Sequence, residues 1–114
     1  MDRCVLAVIL SASLIGLAAA ETVSVKYQGP VPLDTFQCAD VDRDNNINRV
    51  CYDAAQQYMI IKLGRTYYHY CEIDAGTVGN LFAAASMNQY FQSHIRGTGT
   101  DGPFDCRTHQ VPEY

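Results

Sequence analysis

The chain of 114 residues lacks the residue clusters that mark most active sites and most nucleic-acid-binding surfaces. Its 8 lysines and arginines are scattered and are outnumbered by 12 aspartates and glutamates, so the formal net charge is −4. Because non-specific binding to nucleic acid depends on clustered cations, this composition argues against a general nucleic-acid-binding protein. The sequence also lacks a Cys-x-x-Cys pair, a nucleophile elbow and an internal repeat. We therefore predict no catalytic residue and no cofactor.

The only long apolar run lies at the N-terminus, between a polar start and a group of small residues, Ala18-Ala19-Ala20. This run, Val5–Ala20, has 16 residues and is short for a membrane anchor, which needs about 20. Small residues directly before Glu21 fit a signal-peptidase site. We therefore predict that residues 1–20 are a cleaved signal peptide. The mature protein is then expected to be periplasmic or secreted, with no membrane segment left.

Four cysteines lie outside the predicted signal peptide: Cys38, Cys51, Cys71 and Cys106. An even number of cysteines in a small exported domain predicts two disulfides, which add stability that a small core does not supply. Zinc bound by four thiolates is the alternative, and an oxidising compartment disfavours it. Three disulfide pairings are open, and we predict no metal.

Alternating apolar and polar residues predict a short strand at Thr22–Tyr27, and β-branched and aromatic residues between short turns predict three further strands at Ile47–Tyr52, Tyr58–Leu63 and Thr66–Cys71. Short connections join the last three, which predicts an antiparallel meander. By parity, one face carries Val50, Tyr52, Met59, Ile61, Leu63, Tyr68 and Tyr70. Cys51 and Cys71 fall on the other face, and we prefer the pairing Cys51–Cys71 with Cys38–Cys106. The outer strands of a meander lie about 9–10 Å apart, so this pairing requires a curled sheet or a different strand order.

Helical periodicity follows the strands. Asp74 is placed to cap a helix with an apolar stripe, and a second stripe follows a break at Ser86-Met87-Asn88. The two stripes consist of Val78, Leu81, Phe82 and Ala85, and of Tyr90, Phe91, His94 and Ile95. The predicted fold is therefore α+β: an antiparallel meander of three to four strands, packed against one or two helices and stapled by two disulfides. Residues 21–37 form an N-terminal extension or edge strand, and residues 38–114 form one domain whose C-terminal tail Cys106 tethers.

The order of several short motifs resembles the KTSC domain family over about residues 38–97. The motifs are Ile47-x-x-Val50-x-Tyr52-Asp53, a hydrophobic strand, Tyr68-His69-Tyr70, Ala84-Ala85-Ser86, Tyr90-Phe91 and Ile95-Arg96. The family is named after the C-terminal region of some lysyl-tRNA synthetases. The resemblance implies a small module of strands and helix with no established function, for which RNA binding has been suggested. This chain departs from the family in its cysteines, its predicted export and Asn88, which replaces a helix-ending glycine.

An acidic segment offers a calcium alternative. The pattern Asp40-x-Asp42-x-Asp44-Asn45-x-Ile47 resembles the first eight positions of an EF-hand loop. The pattern then fails, because position six lacks glycine and position twelve is a cysteine instead of glutamate. We favour a solvated acidic loop.

The candidate binding surface consists of Tyr67, His69, Tyr90 and Arg96, where aromatic faces suit flat ligands such as bases, sugars or a peptide. We interpret the histidines as packed or hydrogen-bonded rather than catalytic. The predicted function is an exported KTSC-like, non-catalytic binding module of unknown ligand. One alternative is a periplasmic inhibitor or immunity-type protein that binds an enzyme. A nucleic-acid (RNA) binding module is the other, and an enzyme is the least favoured interpretation.

Overall fold

The computed structural model describes residues 21–97 and 102–114. The predicted signal peptide and part of the predicted loop Gly97–Pro103 lie outside the described residues. The strands are β1 (Thr22–Val25), β2 (Gly29–Pro32), β3 (Gln37–Asp40), β4 (Ile47–Asp53), β5 (Tyr58–Leu63) and β6 (Thr66–Tyr70). Two helices follow, α1 (Ala75–Ala83) and α2 (Met87–Tyr90), and a π-helical segment (Phe91–Arg96) continues α2. Within the described ranges, every helix is too short or too polar to cross a membrane.

The strands form one sheet in the order β2-β1-β6-β5-β4-β3. Strands β3 to β6 are an antiparallel meander, whereas β1 runs parallel to β6. The α+β class is confirmed, but the predicted strand count was wrong, because the sheet has six strands. The two missed strands have four residues each and show no clear alternation. Strand β2 contains Pro30 and Pro32, which a sheet tolerates at its edge, and all four residues of β3 are exposed.

Two disulfides are present, as predicted, but the preferred pairing was wrong. Cys38 in β3 lies directly opposite Cys51 in β4, with a Cα–Cα distance of 4.0 Å. Cys71 is bonded to Cys106 in the C-terminal tail, with a Cα–Cα distance of 4.9 Å. Strand β5 separates β4 from β6 and keeps Cys51 away from Cys71. The missed strand β3 supplies the true partner of Cys51.

One face of the sheet packs against the helices. The predicted shared face is confirmed, since its residues line the helix-covered core together with Ile47, Ile73, Val78, Leu81, Met87, Phe91 and Ile95. The predicted cap is also confirmed, because Asp74 accepts a hydrogen bond from the Thr77 N–H at 3.1 Å. Hydrogen bonds from Thr77 hold the pKa of Asp74 below its ordinary value. In contrast to the predicted stripe, Phe82 is 40 % exposed.

The opposite face is covered by the N-terminal hairpin and the C-terminal tail. Its core consists of Val23, Val25, Val31, Leu33, Cys51, Tyr58, Ile60 and Cys71, with Cys106 and Val111 of the tail packed against it. Polar contacts also fix the tail. The Gln110 N–H donates to Glu72 at 2.7 Å, and the Tyr114 hydroxyl donates to the buried carboxylate of Asp53 at 2.9 Å.

Candidate functional site

A cleft opens along the outer edge of β6, where the neighbouring strand β1 ends. The two strands pair at Val25 and Tyr67, and the Lys26 N–H donates to the Tyr67 carbonyl at 2.9 Å. Just after β6 ends, the C-terminal tail bonds to the same edge, where the Cys71 N–H donates to the Phe104 carbonyl at 2.8 Å. Peptide groups of alternate strand residues point to the same side. The main-chain groups of His69 therefore face the cleft between these two contacts.

The cleft has a volume of about 680 Å³. The described residues that line it are Lys26, Tyr27, Gln28, Leu63, Tyr68, His69, Tyr70, Arg96, Gly102, Asp105, Cys106, Arg107 and Val111. The first three come from the β1–β2 turn, and those from Gly102 onward come from the tail. A strand edge thus forms the floor of the cleft, and two flanking segments form its walls.

The wall from the β1–β2 turn carries an unusual tyrosine. Tyr27 has a positive φ of 70° and is 86 % exposed. The Gln28 N–H donates to the Val25 carbonyl at 3.0 Å and closes this turn. A left-handed conformation costs a non-glycine residue about 1–2 kcal/mol. Backbone strain of this kind clusters at functional sites, so the exposed ring of Tyr27 is a candidate for ligand contact.

A lysine of the same wall lies close to two tyrosine rings. The Lys26 ammonium lies 5.4 Å from the ring centroid of Tyr27 and 5.7 Å from that of Tyr68. These distances are within the range of cation–π interactions. The arrangement holds a positive charge beside two aromatic faces at the mouth of the cleft.

His69 links the cleft to the buried side of the sheet. Its Nδ1 lies 2.7 Å from the hydroxyl of Tyr58, a fully buried side chain. Burial lowers the pKa of His69 below its ordinary value and outweighs the opposing effect of Asp105. Burial also raises the pKa of Tyr58, which keeps the hydroxyl protonated. His69 is therefore a neutral ring near neutral pH, with Nδ1 engaged and Nε2 left for another partner.

The structure separates the predicted binding residues. His69 and Arg96 both line the cleft. Tyr67 does not line it, and its hydroxyl accepts a hydrogen bond from Arg49 at 3.3 Å. Tyr90 stacks on His94, with ring centroids 4.4 Å apart. The predicted surface is thus distributed over three places, and only its His69 and Arg96 share one site.

Sequence reasoning missed the residues of the β1–β2 turn. Lys26 and Tyr27 lie 40 or more positions before His69 in the sequence, and only the parallel pairing of β1 with β6 brings them to the cleft. The available signal was an aromatic residue next to the turn sequence Gln28-Gly29-Pro30. That signal predicts a turn and does not predict what the turn faces.

The acidic loop has a structural role in the described chain. Asp44 Oδ1 accepts hydrogen bonds from the N–H groups of Asn46 and Ile47 at 2.8 and 3.0 Å, and Oδ2 accepts one from Asn88 at 3.0 Å. Burial raises the pKa of Asp44, but these hydrogen bonds outweigh it and the net pKa is lowered. Strands instead of helices flank the loop. The third aspartate of the calcium pattern thus connects the start of β4 to α2.

The central segment of the chain is similar to a known protein family. Residues 43–98 match the KTSC domain family. This match supports the resemblance seen in the sequence. None of the curated proteins matches the chain.

The KTSC match runs from the loop before β4 to the end of the π-helical segment. Strands β1 to β3 and the C-terminal tail lie outside it. Each disulfide joins one cysteine inside the match, Cys51 or Cys71, to one cysteine outside it. We call residues 43–98 the KTSC segment and the residues on either side of it the flanks. The β6 floor of the cleft and Arg96 belong to the KTSC segment, whereas both walls belong to the flanks.

Proposed function

We propose that the chain is a non-catalytic binding module that receives an extended, acidic segment of a protein partner in the cleft along β6. The observation that carries this proposal is the strand edge at the floor of the cleft. An extended peptide adds to such an edge through main-chain hydrogen bonds, and side-chain pockets then give specificity. The main-chain groups of His69 supply the edge, and the tyrosine rings of Tyr27, Tyr68 and Tyr70 supply apolar surface.

The charges of the cleft favour an acidic ligand. Lys26 contacts tyrosine rings, and Arg96 donates to the neutral side chain of Gln92 at 3.3 Å. Asp105, the acidic residue of the lining, is already paired with Arg107 at 2.6 Å. Two cations therefore face the cleft without a carboxylate partner among the described residues. An aspartate or glutamate of the ligand complements them.

The compartment of the protein is part of the proposal. The two disulfides are consistent with an exported protein. We infer that residues 1–20 direct the chain to the periplasm or the exterior, which removes it from cytoplasmic tRNA. A protein partner, including an enzyme that this module inhibits, therefore suits the compartment better than the RNA suggested by the family name.

Peptide display tests the proposal while the partner is still unidentified. A library of random peptides is panned on immobilised residues 21–114, and enriched peptides are measured by fluorescence anisotropy. We expect enrichment of extended sequences that contain aspartate or glutamate. The double variant Lys26→Ala/Arg96→Ala is expected to bind them at least tenfold more weakly, whereas Arg65→Ala, which removes an exposed cation outside the cleft, is expected to bind them unchanged.

Two outcomes would contradict this function. Enriched peptides that bind parent and double variant equally would place the interaction elsewhere on the protein. Salt-sensitive binding of a labelled single-stranded oligoribonucleotide that the double variant loses, with no peptide enriched, would replace the peptide with a nucleic acid.

A further inference from the structure

Three metal-ligating side chains meet at the floor of the cleft. A ring nitrogen of His69 and the Sγ atoms of Cys71 and Cys106 all lie within 4.8 Å of one another. The two sulfurs are joined in a disulfide. Cys71 is fully buried, whereas Cys106 is partly exposed and lines the cleft. Two thiolates and one imidazole form a donor set that Zn²⁺ prefers in proteins.

We propose that His69, Cys71 and Cys106 form a Zn²⁺ site once a dithiol has reduced the Cys71–Cys106 disulfide. A thiolate of the dithiol attacks Sγ of Cys106, and the bond to Cys71 breaks. The second thiol of the reductant then displaces Cys106, and the reductant leaves as its own disulfide. Two electrons pass to the protein and leave two thiols. Zn²⁺ binding releases their two protons.

The geometry requires only a small rearrangement. Zn–S and Zn–N bonds of about 2.3 and 2.0 Å place the ligand atoms of a tetrahedral site roughly 3.5–3.8 Å apart. The three ligand atoms already lie within 4.8 Å of one another. After reduction the sulfurs must separate, and Cys106 can supply the movement because it lies in the tail rather than in a strand.

The tail keeps the thiols close after the disulfide is broken. The Cys71 N–H donates to the Phe104 carbonyl at 2.8 Å, two residues before Cys106. Farther along, Gln110 is bonded to Glu72 at 2.7 Å and Tyr114 to Asp53 at 2.9 Å. These contacts do not depend on the disulfide. The two cysteines therefore remain neighbours in the reduced protein.

The surroundings of His69 also suit a metal ligand. Its Nδ1 is engaged by the Tyr58 hydroxyl at 2.7 Å, which fixes the ring and leaves Nε2 for the metal. Metal-binding histidines are commonly oriented in this way by a partner on the other ring nitrogen. The three protein ligands leave a fourth position that faces the cleft, where water completes the coordination. This site shares His69 and Cys106 with the lining of the proposed peptide-binding cleft, but its test measures metal alone and does not depend on peptide binding.

The test uses residues 21–114 with Cys38→Ala and Cys51→Ala, so that Cys71–Cys106 is the remaining disulfide. The protein is reduced with dithiothreitol, desalted anaerobically and titrated with Zn²⁺ against a chromophoric chelator. We expect one Zn²⁺ per chain after reduction and none before it. His69→Ala is expected to weaken binding at least tenfold and Tyr58→Phe by a smaller factor. The control His94→Ala removes an exposed histidine outside the cluster and is expected to change nothing.

Circular dichroism is recorded during the titration, so that the test still gives an answer if reduction unfolds the protein. In that case Zn²⁺ must restore the native spectrum, because metal binding and folding are then coupled. Binding without recovery of the native spectrum would overturn the proposal, as would equal affinities of the parent and His69→Ala. Binding of Cu⁺ but not Zn²⁺ in parallel titrations would overturn the assignment to zinc.

Discussion

The two disulfides are expected to differ in their contribution to stability, because they close loops of different length. Cys38 and Cys51 are 13 positions apart in the sequence, whereas Cys71 and Cys106 are 35 apart. A disulfide stabilises mainly by reducing the entropy of the unfolded chain, and the effect grows with the loop. We therefore expect replacement of the Cys71–Cys106 pair by alanines to destabilise the fold more than replacement of the Cys38–Cys51 pair.

The size of the difference follows from the loop lengths. The chain-entropy relation gives about 3.8 kcal/mol for a separation of 35 residues and about 2.9 kcal/mol for 13. Each pair has one fully buried cysteine, Cys51 or Cys71. The alanine variants therefore leave comparable cavities, and the cavity contribution largely cancels in the comparison. The expected difference is about 0.9 kcal/mol, with the tail disulfide contributing more.

Urea unfolding measures this difference directly. The parent, the two double variants and the quadruple alanine variant are unfolded and followed by far-ultraviolet circular dichroism, and free energies are obtained by linear extrapolation. Equal costs, or a larger cost for the Cys38–Cys51 variant, would refute the argument from loop length. The quadruple variant serves as the control, because its loss of stability should equal the sum of the losses in the two double variants if the disulfides act independently.

Three further outcomes are expected in the same unfolding assay. Tyr114→Phe removes a hydrogen bond to the buried Asp53 carboxylate, and we expect a loss of about 1–2 kcal/mol; an unchanged free energy would show that the tail end does not contribute. Burial lowers the pKa of His69, so its contribution to stability is present above the unfolded pKa of about 6.5 and is lost as the pH falls below it. His69→Gln should flatten the pH dependence in that range, and a profile identical to the parent's would contradict this. Arg43→Ala removes hydrogen bonds to three carbonyls at the end of α1 and should cost about 0.5–1 kcal/mol, whereas Arg65→Ala should be neutral; equal costs would remove this role.

The central part of the fold was predictable because its signals are local. Strands β4 to β6 are rich in β-branched and aromatic residues, and the Asp74 cap precedes α1 directly. Strands β2 and β3 were not predictable in this way. One is rich in proline and the other is exposed on both faces, so neither carries an alternation of apolar and polar residues. The prediction of the disulfide pairing was wrong for the same reason, because Cys38, the partner of Cys51, lies in the missed strand β3.

The candidate site was predictable only in part, because its residues meet through non-local pairing. The tyrosine-rich sequence of β6 pointed to His69, and the end of the helical region pointed to Arg96. Parity assigns Tyr67 to the same face as His69, but parity does not show that Arg49 contacts the Tyr67 hydroxyl. Lys26 and Tyr27 reach the cleft through the parallel contact of β1 with β6. A parallel pair of short strands leaves no sequence signature of its own partner.

The division of the cleft between the KTSC segment and its flanks bears on what this chain can bind. The KTSC match supplies the β6 edge, which an extended ligand needs in any sequence context. The flanks supply Lys26, which is one of the two cations of the cleft, together with Tyr27 and the tail wall. The disulfides fix both flanks to the KTSC segment, one at Cys51 and one at Cys71. If the chain binds an extended ligand as we propose, we therefore expect the flanks to contribute to its specificity, and a ligand of a KTSC segment without them is not expected to transfer to this chain.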